Sequence, residues 1–277
     1  MIKSCVTIAR APEIKTGPWI YREDFEISIP KAKALGYDAV ELFTSSADSV
    51  DPEKLEALSR SNEIEIAAVG TGAGKVVRGL TLIDPNPAVR KDAVMFIAEM
   101  IDFGSRFNAP AIIGSMQGFV GADQDRERAL DWLTEGLNAL GNRAANQGVK
   151  LIYEPLNRYE TNLFNTIGDA AGFLQTLDPD NITLLADLFH MNIEEPDIAG
   201  AIREHADCIG HLHFADSNRR PVGGGHIDMT EIVTALNDVA WNGYASAEAF
   251  PYPDPDTAAE QTIRAYRECF GAAARNR

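Results

Sequence analysis

The chain has 277 residues, 45% hydrophobic and 24% charged, with a formal net charge of −16. Such acidity argues against a nucleic-acid binder, which carries a basic face to release counterions from phosphates, and against docking to an anionic membrane. Three cysteines without CxxC spacing exclude a disulfide framework or a cysteine zinc site and fit a reducing compartment.

Short β-branched runs alternate with longer amphipathic ones. Ile2–Ala9 reads as a strand, and Arg22–Leu35 as a helix ended by Gly36, with Pro30 either kinking it or marking its true start. Ala39–Phe43 is a strand, Pro52–Arg60 a helix and Ile64–Val69 a third strand. Ala88–Phe107 reads as a long helix with Asn86 as N-cap and Pro87 at its first position. Ala109–Gly114 is a strand, and Gln124–Gln147 a helix stopped by Gly148. In the second half, strands at Val149–Glu154, Ile182–Asp187, Cys208–Phe214 and Tyr244–Glu248 alternate with helices at Ile167–Leu177, Ile198–His205, Thr230–Val239 and Thr257–Phe270.

Eight strand–helix units imply right-handed crossovers and a parallel sheet, with several strands apolar on both faces. A closed (β/α)₈ barrel typically takes about 250 residues. No Pro/Gly/Ser-rich linker divides the chain, so one α/β barrel domain over residues 1–277 is expected, an open doubly wound sheet being the alternative. Met1–Arg10 lacks the apolar core of a signal peptide, and no run approaches the roughly 18 apolar residues of a membrane helix. The expected location is the cytoplasm.

Active sites of such barrels lie at the C-terminal ends of the strands. Strand five ends in Glu154, strand six in Asp187 and strand eight in Glu248, and strand seven carries His213. Carboxylates or imidazoles aimed into a barrel mouth are costly unless paired or metal-bound. Each alone could make an ion pair at the rim. Together, three carboxylates and one imidazole form an oxygen-rich ligand set that suits Mn²⁺, Mg²⁺ or Co²⁺ better than a soft metal, with zinc a further alternative; Mn²⁺ is the expected ion. Glu41, near the end of strand two, is assigned a supporting role. Gly70–Lys75 lacks phosphate-loop or dinucleotide spacing and reads as a flexible active-site loop. Gly223–Gly225 reads as a place where backbone approaches substrate, and Cys5 and Cys208 as core residues of apolar strands.

Four segments carry a resemblance: Glu154-Pro155-Leu156-Asn157-Arg158-Tyr159-Glu160-Thr161, Asp187 through Glu195, His211-Leu212-His213-Phe214-Ala215-Asp216-Ser217-Asn218-Arg219, and Ala247-Glu248-Ala249-Phe250. They resemble the signatures of the ketose 3-epimerase family, within the xylose-isomerase-like TIM barrels. The resemblance covers about residues 150 to 250; before that, only the strand–helix rhythm matches.

By position, the resemblance implies metal ligation by Glu154, Asp187, His213 and Glu248, and substrate contact by Glu160, His190 and Arg219. Without it, Glu160 and Arg219 read as solvated loop charges and His190 as a neutral rim histidine. It further implies a sugar substrate, a homo-oligomer (dimer or tetramer), and C3 inversion of a ketose with Glu154 and Glu248 as catalytic acid and base. Rival expectations are an aldose–ketose or sugar-phosphate isomerase with the same metal, a metal-dependent endonuclease, which five histidines and the negative charge disfavour, and a non-catalytic sugar binder.

Overall fold

The computed structural model describes residues 1–271; positions 272–277 of the expected domain lie outside the described residues. Eight parallel strands close on themselves in chain order. They are β1 (Ile2–Arg10), β2 (Ala39–Thr44), β3 (Glu65–Gly70), β4 (Ala111–Ile113), β5 (Leu151–Tyr153), β6 (Ile182–Asp187), β7 (Ile209–His213) and β8 (Gly243–Ala247). Pairing of Ile2 with Gly243 and Val6 with Ala247 closes the ring. The fold is a (β/α)₈ TIM barrel, as the alternation of strands and helices predicts.

The helices are α1 (Phe25–Leu35), α2 (Pro52–Asn62), α3 (Ala73–Arg78), α4 (Pro87–Ser105), α5 (Arg126–Asn146), α6 (Ile167–Leu174), α7 (Leu188–Glu194), α8 (Ile198–His205), α9 (Met229–Asp238) and α10 (Pro255–Phe270). Among the described residues, none is long and apolar enough to cross a membrane. Helix α4 starts as expected: the Asn86 side chain accepts from Ala88 N–H, and Pro87 occupies the first turn, where a missing N–H costs nothing. Its buried stripe, Ala93, Phe96, Ile97, Met100, Ile101 and Gly104, recurs every three or four residues and faces the sheet. Gly104 is required there, because a Cβ would lie 2.5 Å from the Ala109 carbonyl oxygen.

Several boundaries differ from expectation. Helix α1 begins at Phe25 behind Asp24, not at Arg22, and carries Pro30 in its interior. Strands β4 and β5 are three residues each, so Glu154 lies one residue beyond β5, and Glu248 one beyond β8. The Gly70–Lys75 loop is corrected in part: Gly70 ends β3 and, with Thr71 and Gly72, lines the cavity, but Ala73 already opens α3, where Gly74 packs against Phe96 and Met116 with no room for a Cβ. Cys208 is in a half-buried 3₁₀ turn before β7 rather than in the strand, whereas Cys5 is fully buried in β1.

The pleat decides what enters the barrel. Ala68, Ile112, Ile152 and Leu185 make one apolar layer from β3 to β6. Two residues further along three of these strands come Gly114, Glu154 and Asp187, on the same face and nearer the mouth. The barrel interior thus supplies an apolar floor and a polar upper layer.

Candidate metal centre

Strand register brings the polar side chains together. Asp187 pairs directly with His213, and His213 with Ser246 of β8, two residues before Glu248. Glu154, Asp187, His213 and Glu248 each offer one ligand atom, all within 4.8 Å of one another. His213 Nδ1 lies 2.9 Å from Asp187 Oδ2, 3.4 Å from Glu248 Oε2 and 3.5 Å from Glu154 Oε1. Two donors each about 2.1 Å from one ion at right angles would be about 3 Å apart, so these separations suit a common cation. Glu154 Oε1 is buried without a hydrogen-bond partner, the condition of an anionic oxygen that a cation would satisfy. Three carboxylates and one imidazole fit a hard divalent ion.

Asp187 divides its two oxygens. Oδ1 accepts from the N–H groups of Phe189 and His190 and starts α7, while Oδ2 faces the cluster. Helix α7 follows β6 without a loop, which the sequence reading missed. It places His190 over the site, 3.8 Å from Glu154 Oε1. Burial pushes His190 towards its neutral form.

Burial raises the carboxyls of Glu154 and Glu248, the latter to about 7. Burial opposes ionisation of Asp187 too, but Arg219, His190 and His213 outweigh it and hold its carboxyl well below the usual range. Burial disfavours the His213 cation, yet Glu41, Glu248 and Asp187 overcome it and raise the imidazole. The cluster is a set of acids forced together and short of positive charge.

Arg219 supplies part of that charge. Its Nη1 donates to Asp187 Oδ2 at 2.5 Å, its Nη2 to Glu248, and its guanidinium lies 5.0 Å from the Phe189 ring centre. Its backbone has φ of 60°, a left-handed conformation costly for any L residue with a Cβ and retained mainly at working sites. Hydrogen bonds hold it: Arg219 N–H to Asp216 carbonyl, and Phe250 N–H to Arg219 carbonyl.

The cavity above the cluster is about 550 Å³, and Glu160, His190 and Arg219 all line it. Asn157 ties two of them together, its Nδ2 standing 3.0 Å from Glu160 Oε1 and 2.8 Å from His190 Nδ1. The outer wall is mostly apolar, with Trp19, Phe43, Val76 and Phe250. Gly114 also borders the cavity, and a Cβ there would sit 2.5 Å from Glu154 Oε2.

Gly223–Gly225 is not among the lining residues, which corrects its expected approach to substrate. The segment is folded around Asp216 instead. The Asp216 carboxylate accepts from the N–H groups of Ser217, Gly223 and Ile227. Burial opposes its ionisation, but these donors hold its carboxyl below the usual value. A lowered folded-state value stabilises the fold above the unfolded pKa of about 3.9, and that stability is lost as pH falls through the folded value. Asp216→Asn is therefore expected to cost about 1.5–3 kcal/mol at neutral pH. In urea unfolding, the gap from wild type should close as pH drops below about 4; a gap unchanged between neutral pH and that range would remove the charge from the account.

Gln117 and His211 were given no role from the sequence. Gln117 Nε2 donates to the carbonyls of Gly114 and Glu154, and its Oε1 accepts from the Tyr153 hydroxyl at 2.5 Å. It braces the β4 and β5 ends that carry Gly114 and Glu154. No spacing signal marks a lone Gln in a 3₁₀ turn. His211 was legible: it is two residues before His213, so a strand turns both rings inward.

The xylose isomerase-like TIM barrel model matches residues 29–269. The chain is 31% identical over 237 residues to a D-psicose 3-epimerase of Ruminiclostridium cellulolyticum, covering 83% of this chain and 80% of that one. It is 30% identical over 241 residues to an L-ribulose 3-epimerase of Mesorhizobium japonicum, covering 83% and 76% respectively. The solved structure of an L-ribulose 3-epimerase superposes with a TM-score of 0.85 at 22% identity, over 99% of this chain and 96% of that one, a likeness of fold.

Proposed function

The chain belongs to the xylose isomerase-like TIM barrel family and to its ketose 3-epimerases, and from that premise we propose that it reversibly inverts C3 of a ketose through a cis-enediolate. It is an isomerase by class, as its relatives are epimerases. The observation that carries the reading is the convergence of Glu154, Asp187, His213 and Glu248 at the floor of a sugar-sized cavity.

Those four residues would hold one divalent cation, Mn²⁺ in our assignment over Co²⁺ or Mg²⁺. When bound, the ion supplies a positive charge that polarises the substrate carbonyl and lowers the cost of the enediolate. Everything else falls to the chain. Glu154 removes the C3 proton from one face, and Glu248 returns one to the other. Their roles exchange with the direction of reaction. Burial raises both carboxyls in the metal-free chain, and a bound cation would favour their ionised, proton-accepting form. Glu160 and His190, joined through Asn157, orient the C1 end. Arg219 holds an oxygen near the reacting carbons, and the apolar outer wall excludes water from the enediolate.

We assign a free sugar as the substrate, with no nucleic-acid or membrane partner, and a homo-oligomer (dimer or tetramer) working in the cytoplasm. The acidic charge speaks against a nucleic-acid or anionic-membrane partner, and three cysteines without CxxC spacing fit a reducing compartment.

The test is turnover of a ketose panel in D₂O with Mn²⁺, Co²⁺ or Mg²⁺. Deuterium should appear at C3 of both epimers. Label at C1 or C2 would make the chain an aldose–ketose isomerase, and no label with any ketose would make it a binder.

A further inference from the structure

The Glu41 carboxylate stands between two imidazoles beneath the cluster. Its Oε2 lies 2.7 Å from His211 Nε2 and its Oε1 3.2 Å from His213 Nε2. All three residues are buried. They come from β2 and β7, which are not neighbours in the sheet, so Glu41 reaches across the barrel interior. The opposite ring nitrogen of His213, Nδ1, faces Asp187 Oδ2 at 2.9 Å. The two nitrogens of one ring therefore have different surroundings: acceptor oxygen of Glu41 on one side, the cation-ligand set on the other.

We infer that Glu41, backed by His211, is a positioning residue that keeps the His213 proton on Nε2 and so leaves the Nδ1 lone pair for the cation. The inference rests on the proposed metal centre and deepens it. An ionised carboxylate only accepts hydrogen bonds, so both nitrogens that face Glu41 must be donors. His211 fills the second oxygen of Glu41, which fixes the carboxylate in place. Ligand histidines are held in this way by an acceptor on their far nitrogen, and losing the acceptor weakens metal binding.

The same three side chains could instead be read as a second ion site. The distances decide against that. A nitrogen–oxygen separation of 2.7 Å is a direct hydrogen bond, and shorter than the roughly 3 Å between two donors about 2.1 Å from one ion at right angles.

The experiment titrates Mn²⁺ into metal-stripped wild type, Glu41→Gln, Glu41→Ala and His211→Asn, following free Mn²⁺ by electron paramagnetic resonance. Circular dichroism checks that each variant is folded. The Glu41 variants should bind Mn²⁺ about 10- to 100-fold more weakly, with a smaller change of the same sign for His211→Asn. In the Co²⁺-loaded wild type, proton NMR should show one strongly shifted, exchangeable N–H signal from the ligating imidazole. That signal should vanish into solvent exchange in Glu41→Ala. Folded Glu41 variants with wild-type Mn²⁺ affinity, or an N–H signal indifferent to Glu41→Ala, overturn the inference and leave the metal centre standing. If the Glu41 variants do not fold, wild-type affinity in His211→Asn overturns it. Wild type that binds no Mn²⁺ overturns both.

Discussion

Glu154→Gln and Glu248→Gln should each lower epimerisation by at least about 10²–10⁴-fold, the range a positioned acid or base contributes, while the barrel stays folded. Glutamine keeps the shape and length of glutamate, but its amide neither takes up nor releases a proton near neutral pH. Each glutamate has two assigned duties, ligand and proton carrier, so the loss should exceed that of a ligand alone. The two variants also differ from a collapsed site in what they retain. With one carboxylate left, solvent deuterium can still enter C3 from its face, so one epimer is labelled without being converted. Chromatography follows conversion and mass spectrometry the label, on protein of measured metal content. Conversion within tenfold of wild type in either metal-loaded variant would sink the two-carboxylate scheme.

Removing divalent ions should have an effect as large. Chelator dialysis is expected to abolish turnover and added Mn²⁺ to restore it, with Co²⁺ and Mg²⁺ as the comparison. The cluster gives the reason. Asp187, Glu154 and Glu248 crowd His213, and in the chain itself the positive charge against them comes from His213 and Arg219. A ligand that binds only the folded chain stabilises it by about 2.7 kcal/mol at a hundredfold excess over its dissociation constant. For a chain of this size that is a rise of several degrees in melting temperature, at about 2–4 °C per kcal/mol. Stripped protein that melts identically with and without Mn²⁺, and keeps its turnover, would remove the ion from the mechanism.

Much of this architecture is written locally. Asn86-Pro87 announces the start of α4, and alternating β-branched runs announce strands, because caps and pleats depend on a few neighbouring residues. Strand ends could be found for the same reason, and with them the residues that share the barrel mouth. What escaped depends on contacts far apart in the chain. Glu41 and His211 are separated by 170 positions, and only barrel closure makes them partners. The Gly70–Lys75 segment reads as loop from its glycines, yet Gly74 exists to let α3 pack on Met116 and Phe96. The glycines after β7 read as substrate-facing, yet they answer to Asp216, whose role no spacing reveals. Arg219 was found through the family likeness alone; its left-handed backbone and its two carboxylate partners belong to the folded molecule.

Gly114 leaves no space between its backbone and the Glu154 carboxylate, 2.5 Å from where a Cβ would be. Any side chain there must either push the proton carrier aside or bend the end of β4. A mutagenesis library meant to redirect this barrel to another sugar should therefore leave that codon untouched. Its diversity belongs at Trp19, Phe43, Val76 and Phe250, on the outer wall, where new side chains reshape what enters without disturbing the carboxylate that does the chemistry.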